Sequence, residues 1–520
     1  MAMRHKNARR DRSGSGAMLV SVMTLRRIVL LTAALFVTGL FVSMRSLDSR
    51  TSIELERSQP RSFLRRGLDR FMKSVPVAPV SQREFFKQRA SKLSADQQQV
   101  VDMTGHAWKA YRDFANWRDF LNVYQQRGGS FDEASAWVKA NLEATMLQSG
   151  RVSFFEVTIR SLGGLLSAYY LSAEKHFLDL AVTLADGLTG AFSCGPSMPC
   201  QKVDLISKYA RGSPSLAEVG TFQLEFAYLS YATTNPIYNT HVESVNKIEM
   251  VKTTHTDGLI PVRVNWELNR GSRSKISWGA HGDSYYEYLL KQWLLSNKRD
   301  TAMKKQYVLA VEGMKARMIG KTYPSEFVFL GEINELGQLK PVMEHLTCFV
   351  PGLLALGYLN GMPKDHLYLA KELTQTCVQM YLSSDTKVAP EITSFTTEEL
   401  FGYTNHDEFY VASNDDYFIL RPETVESLMI LHRVTGDPIY REHGRTIMNA
   451  IEKYCKVETG GYRSIRQVVS GPVKGFRPDM ESFFLAETLK YLYLLFSDND
   501  LLPLDKTVFN TEAHPFPILK

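Results

Sequence analysis

FEVTIRSLGGLLSAYYLS, residues 155–172, opens beside an acid, Glu156, and runs into a long apolar stretch rich in small residues. The stretch is longer than a typical strand and apolar nearly all round, which predicts a buried helix. Five further stretches share the pattern. Glu218 heads AEVGTFQLEFAYLS, Asp283 heads GDSYYEYLLKQWLLS, and Glu344 heads MEHLTCFVPGLLALGYLN. Glu423 heads PETVESLMILHRVTG and Glu481 heads MESFFLAETLKYLYLLFSD. The six heads are separated by 62, 65, 61, 79 and 58 residues. Between them lie more polar amphipathic stretches such as 304–318 and 438–455. One buried and one covering helix per period predicts an all-α ring of helical hairpins, with the buried helices inside.

If the inner helices run the same way, the six acids converge at one end of the ring. An acid in a first turn also complements the helix dipole, by about 0.3–1 kcal/mol. Six in register, with second acids at Glu287 and Glu426, exceed what capping requires. Glu156/Arg160 and Asp283/Glu287 are spaced i, i+4, and Glu423/Glu426 i, i+3, so each pair shares a helix face. Like charges on one buried face need a cation, a proton or a polar ligand. Tyr285, Tyr286, Phe483 and Phe484 lie beside these acids. Carboxylates bond hydroxyls, aromatic faces stack on sugar rings, and two carboxyls flanking a bond are the machinery of glycoside hydrolysis.

The rest of the chain frames that body. At 520 residues, 44% hydrophobic and 22% charged, it is globular rather than disordered, collagen-like or a disulfide scaffold. Residues 1–50 hold nine Lys/Arg and two acids, or +7, so a net +6 leaves residues 51–520 at −1. A near-neutral body argues against nucleic acid as a partner. The uncharged run 28–44, IVLLTAALFVTGLFVSM, follows seven of the nine basic residues. This predicts a signal-anchor, with a cleaved signal peptide as the rival reading, and with it a cytosolic tail at 1–27, a stem at 45–96 and a lumenal domain at 97–520. Five cysteines with no CxxC and no zinc spacing predict one or two disulfides and a free thiol in an oxidising lumen.

The motifs FEVTIRSLGGLLSAYYLS, GDSYYEYLLKQW, LRPETVESL, MESFFLAETLKYLYLLFSD and FNTEAHPFPI resemble those of the class I α-1,2-mannosidases, glycoside hydrolase family 47. The resemblance covers roughly residues 97–518, and the endoplasmic-reticulum type is most similar. It implies an (αα)7 barrel, type II topology in the endoplasmic reticulum or Golgi membrane, and calcium. It also implies inverting removal of terminal α-1,2-linked mannose from oligomannose N-glycans. Glu156 matches the general acid, Asp283 a second catalytic carboxylate also considered for acid catalysis through water, and Glu423 the general base. Thr511 matches the calcium-binding threonine. Arg160, Glu218, His281, Glu287, Glu344, His345, Glu426, Glu481 and Glu512 are expected to face substrate. Cys348 and Cys377 match the family disulfide, and Cys194 and Cys200 are candidates for a second bridge.

Two departures stand out. Family members carry a segment like G-x-x-L-x-[IV]-D-[AS]-L-D-T between the first covering helix, here 100–114, and the next, 131–142. Only ANWRDFLNVYQQRGGS, residues 115–130, fills that interval. It is too short for a turn, a buried helix and a second turn. Loss from the gene sequence, a natural variant, and a degenerate turn at 117–125 all account for it. The barrel is therefore expected to be breached beside the Glu156 helix. The second departure is His281, where the endoplasmic-reticulum type has arginine and Golgi types an apolar residue. This puts branch selectivity in question. A catalytically weak, mannosidase-like glycan-binding protein in glycoprotein degradation is the alternative reading.

Overall fold

The computed structural model describes residues 79–520 except 91, 115–127, 195–197, 247–256, 266–269, 272–273, 404–405, 470–472 and 474. Its helices, in chain order, are α1 (Arg83–Ala90), α2 (Ala95–Phe114), α3 (Gly128–Gln148) and α4 (Gly163–Ser172). They continue with α5 (Lys175–Leu188), α6 (Leu216–Gly220), α7 (Gln223–Thr233), α8 (Pro236–Asn246) and α9 (Asp283–Leu295). The remainder are α10 (Thr301–Arg317), α11 (Val350–Leu359), α12 (Lys364–Leu382), α13 (Glu423–Thr435), α14 (Ile439–Tyr454) and α15 (Leu489–Phe496). Two π-helical turns, Val157–Leu162 and Phe484–Thr488, lead into α4 and α15, and a 3-10 turn, His345–Phe349, leads into α11.

Local chemistry sets these boundaries. Ser215 and Glu218 form a reciprocal capping box at the start of α6. Asp300 caps α10 by accepting from the Met303 amide at 3.3 Å. Gly436, at φ 73°, ends α13 in the left-handed conformation that glycine adopts without strain. α9 is buried at every residue from Ser284 to Leu295, whereas α14 buries only the stripe Tyr440, Gly444, Ile447, Met448 and Ile451, with Ala450 beside it. That contrast separates an inner helix from a covering one.

The inner helices pack in sequence, α4 on α7, α7 on α9, α9 on α11, α11 on α13 and α13 on α15. Among the described residues these six stand inside seven covering helices, α2, α3, α5, α8, α10, α12 and α14. The hairpin-ring expectation is met: all six acid-headed stretches are helical, with Glu344 one residue ahead of its 3-10 turn and Glu481 just ahead of its helix. The interval 115–127, where a seventh inner helix is expected, lies outside the described residues, and so does the predicted anchor 28–44. Among the described residues no helix is long and apolar enough to cross a membrane.

Short strands rim the ring. β1 (Arg151–Ser153), β2 (Lys202–Asp204) and β3 (Ala210–Arg211) form one antiparallel sheet. β4 (Val342–Glu344), β5 (Ile392–Phe395) and β6 (Phe409–Tyr410) form another. The last pair, β7 (Thr507–Phe509) and β8 (Pro515–Pro517), is a buried hairpin in register Thr507↔Pro517. It packs against α9 and α4 and carries residues 510–514 at its tip. One boundary differs from the sequence reading. α1 lies in the expected stem, yet its first turn is tied to the body by an amide bond from Gln82 to the Leu171 carbonyl, 3.0 Å. Arg83 pairs with Asp132 and Glu174, and Arg89 with Asp498 and Asp500. Cys348–Cys377 and Cys194–Cys200 are bridged, and Cys455 is a buried free thiol.

Candidate active site

The inner helices bring their acidic N-termini to one cavity of about 290 Å³. Glu156, Glu218, Asp283, Glu287, Glu423, Glu426, Glu487 and Glu512 line it, against two arginines, Arg160 and Arg421. His281, Thr511, Phe155, Phe349 and Phe483 complete the wall. Ten of the expected site residues therefore meet here: Glu156, Arg160, Glu218, His281, Asp283, Glu287, Glu423, Glu426, Thr511 and Glu512.

Glu423 is the most tightly held carboxylate. Its Oε2 lies 2.8 Å from His345 Nδ1, and His345 Nε2 lies 2.7 Å from the Tyr381 hydroxyl. Arg421 stands 3.6 Å from Glu423 Oε1 and is gripped in turn by Glu391. Burial alone would raise the Glu423 carboxyl, but Arg421 and the His345 bond outweigh it and hold it below the usual range. Asp283 behaves oppositely. Burial pushes it up to about 7 against the Ser284 amide, which donates at 2.7 Å, and Glu287, Glu344 and Glu423 add like charge. A site holding one carboxyl ionised and another protonated near neutrality can pair a base with an acid.

Glu156 is held differently. Arg160 Nε donates to its Oε2 at 2.7 Å, while the other end of the guanidinium reaches Glu512 at 2.8 Å and Ser482 at 3.0 Å. Glu218 both lines the cavity and caps its helix, its Oε2 accepting the Ser215 amide at 2.6 Å. On α9 and α13, Lys291 bonds Glu287 and stands 3.7 Å from Glu426, whose Oε1 also accepts from Tyr491 at 3.1 Å. Burial lifts Glu426 and Glu512 to about 7 and Glu487 well above its ordinary value.

Three expected residues stand off the cavity wall. His345 is completely buried behind Glu423 and orients it rather than facing substrate. Glu344 accepts from the Ala280 amide and from Lys275 at 3.1 Å, so it holds the loop carrying His281. Glu481 is half-buried at the helix start, and Glu487, within the π-helical turn, faces the cavity instead. Glu487 and Arg421 were the residues missed. A lone acid inside an apolar run and an arginine two residues before Glu423 were the available signals.

Among the described residues no three His, Cys, Asp or Glu side chains form a metal cluster. The donor set still suits a hard cation: eight carboxylates face two guanidiniums and the Lys291 ammonium, Thr511 is only half-buried, and the buried Glu512 Oε2 meets no hydrogen-bond donor among the described residues. A divalent ion bound through oxygen and water would offset that excess charge.

Comparison with known proteins agrees with this geometry. A mannosyl-oligosaccharide 1,2-alpha-mannosidase, MNS3 of Arabidopsis thaliana, is 38% identical, over 82% of this chain and 80% of its own. The endoplasmic reticulum mannosyl-oligosaccharide 1,2-alpha-mannosidase of Rattus norvegicus is 39% identical over 81% and 68%. The solved alpha-1,2-mannosidase from Trichoderma reesei superposes with a TM-score of 0.68 at 28% identity, covering 82% of this chain and 99% of that one. Residues 126–518 match the model of glycosyl hydrolase family 47, and the chain belongs to that family.

Proposed function

We propose that the protein is an inverting, calcium-dependent exo-glycosidase that trims terminal α-1,2-linked mannose from oligomannose N-glycans in the endoplasmic reticulum or Golgi. The feature that carries this reading is the opposed pair lining one cavity, Glu423 with its carboxyl held down by Arg421 and His345 and Asp283 with its carboxyl raised by burial to about 7. Glu423 takes a proton from the attacking water, and His345 and Arg421 fix where its charge lies. The proton for the departing sugar oxygen comes from the side where Asp283 and Glu156 stand. Phe483, lining the cavity with Arg421 at 5.5 Å from its ring, offers a face for a sugar. Thr511, with Glu287, Glu426, Glu487 and Glu512 on the same cavity wall, would hold the calcium. When bound it would supply a hard positive centre for sugar hydroxyls.

The N-terminal run 28–44 is read as the membrane anchor, which would place the body in the lumen. The shortened interval 115–130 is read as a missing first inner helix, and the family match that begins only at residue 126 supports this. The test is mannose release from an oligomannose glycan by the wild type and by E423Q, each with calcium or excess chelator. Release that needs both calcium and Glu423, with the β-anomer as first product, is expected. Glycan binding without release would favour the lectin-like alternative.

A further inference from the structure

Outside the cavity, two inner helices and the tip of the C-terminal hairpin meet at one buried side chain. Glu225, on α7, is completely inaccessible. Its Oε1 accepts from the Tyr288 hydroxyl at 2.7 Å and from Asn510 Nδ2 at 2.8 Å. Tyr288 lies five residues beyond Asp283 on α9, and its hydroxyl also stands 3.5 Å from the Thr511 amide. The same Asn510 nitrogen donates to the Ile159 carbonyl at 2.9 Å, between Glu156 and Arg160. Asn510 Oδ1 accepts the Glu512 and His514 amides at 2.9 and 2.8 Å, which closes the turn around Thr511. The fit is tight: a Cβ on Gly163 would come within 2.7 Å of Asn510 Nδ2 and 3.0 Å of His514 Cδ2.

We propose that Glu225 is a positioning residue that locks the Asn510–Thr511–Glu512 turn to the helices bearing Glu156 and Asp283, and thereby sets the calcium affinity of that turn. The inference rests on the calcium reading above. Glu225 is not part of the cavity wall, and its hydrogen bonds among the described residues run to Tyr288 and Asn510. Both bonds use one accepting oxygen, which an amide reproduces, so the role requires an acceptor at that point rather than a charge. Groups that orient a metal site from behind typically change metal affinity by about 10–100-fold when removed.

The test is calcium titration of the full chain by calorimetry, alongside calcium-free stability in denaturant, for the wild type, E225L, E225Q and Y288F. E225L is expected to raise the calcium half-saturation concentration by about tenfold or more. Y288F, which removes one hydroxyl and keeps the ring, should raise it by a smaller factor, and E225Q should remain near wild type. If E225L does not fold, Y288F decides. Lowered calcium-free stability with an unchanged half-saturation concentration in Y288F and E225L would reduce Glu225 to a packing residue and overturn the proposal. A wild type that takes no calcium would overturn both the calcium reading and this inference. A wild type that binds calcium as tightly as E225L and Y288F would overturn only the inference.

Discussion

The two sides of the cavity are built to different standards. On the Glu423 side, the carboxyl proposed as the base is 11% exposed and backed by His345, Tyr381 and the Arg421–Glu391 pair. The disulfide Cys348–Cys377 runs parallel to this support, three residues after His345 and one turn before Tyr381. On the Glu156 side, the carboxyl is 47% exposed, and Arg160 is the cation that holds it. Arg160 reaches Ser482 at the start of the last inner stretch, so it links the two inner segments that flank the shortened interval. A charge locked in a buried network keeps its position better when neighbours shift than one half exposed and held by one guanidinium. Glu423 is therefore expected to be the firmer of the two carboxyls, and the Glu156 wall the more adjustable.

The largest expected effect tests the rigid side. Glu423→Gln keeps the shape and removes the base, and should lower kcat by about 10²–10⁴-fold. Glu156→Gln on the looser side should cost less, because Asp283 still carries a proton near neutrality. Equal losses in the two variants, measured as mannose release at saturating glycan, would remove the asymmetry.

Next in size is the covalent support. Cys348–Cys377 closes a loop with a sequence separation of 29, and such a loop is worth about 3–4 kcal/mol in the chain-entropy account. Replacing both cysteines with alanine should lower unfolding free energy by that amount in a urea titration. Replacing Cys194 and Cys200, separated by 6, should cost only about 2 kcal/mol. The first pair should also disturb the base, since it anchors the turn that carries His345. Full retention of kcat after its loss would show that the His345–Tyr381 bond alone suffices.

What the sequence revealed follows the same division. The inner helices were legible because a run such as DSYYEYLLKQWLL has no polar face, and the convergence of their acids followed from a shared direction. The π-helical turns were not legible. They depart from the regular helical period, and the second of them carries Glu487, which lines the cavity where Glu481 was expected. His345 and Glu344 could be recognised as site residues, but their roles behind the wall depend on packing across β4 and β5, which spacing does not encode. Likewise, α1 belongs to the folded body through ion pairs that span most of the chain length. A short charged helix near an apparent stem carries no local sign of partners so distant in sequence.

A smaller effect concerns pH. Burial raises Asp283 to about 7, and the acid role requires its proton. Activity is then present below that value and lost as pH rises through it, with kcat/KM falling about tenfold per pH unit beyond. On the acid limb, Glu423 must be ionised, and its lowered carboxyl keeps activity well into the acidic range. His345→Ala removes a bond to the charged form, so the acid limb should move to higher pH while the alkaline limb stays. A shift of both limbs together would mean that the two carboxyls titrate as one coupled pair.

The smallest effect tests the adjustable side directly. Arg83 ties α1 to Glu174, just beyond α4, and Arg89 ties it to Asp498, just beyond α15. The helix thus straps together the ends of the two inner helices between which the missing one is expected. Its partners are exposed, Asp498 at 85% and Asp132 at 63%, and such pairs contribute only about 0–1 kcal/mol each. Arg83→Ala with Arg89→Ala should therefore lower global stability by about 1 kcal/mol. The informative readout is local. Amide exchange should quicken across 157–172 and 489–496, where the strap holds the ring, and remain unchanged across 423–435. Restoring a family-like helix in the interval 115–130 should then abolish the sensitivity, since a packed neighbour would replace the strap. If exchange quickened equally in the Glu423 helix, the two walls would be parts of one cooperative unit. If it quickened nowhere, the ring on the Glu156 side would be closed by packing stronger than these ion pairs.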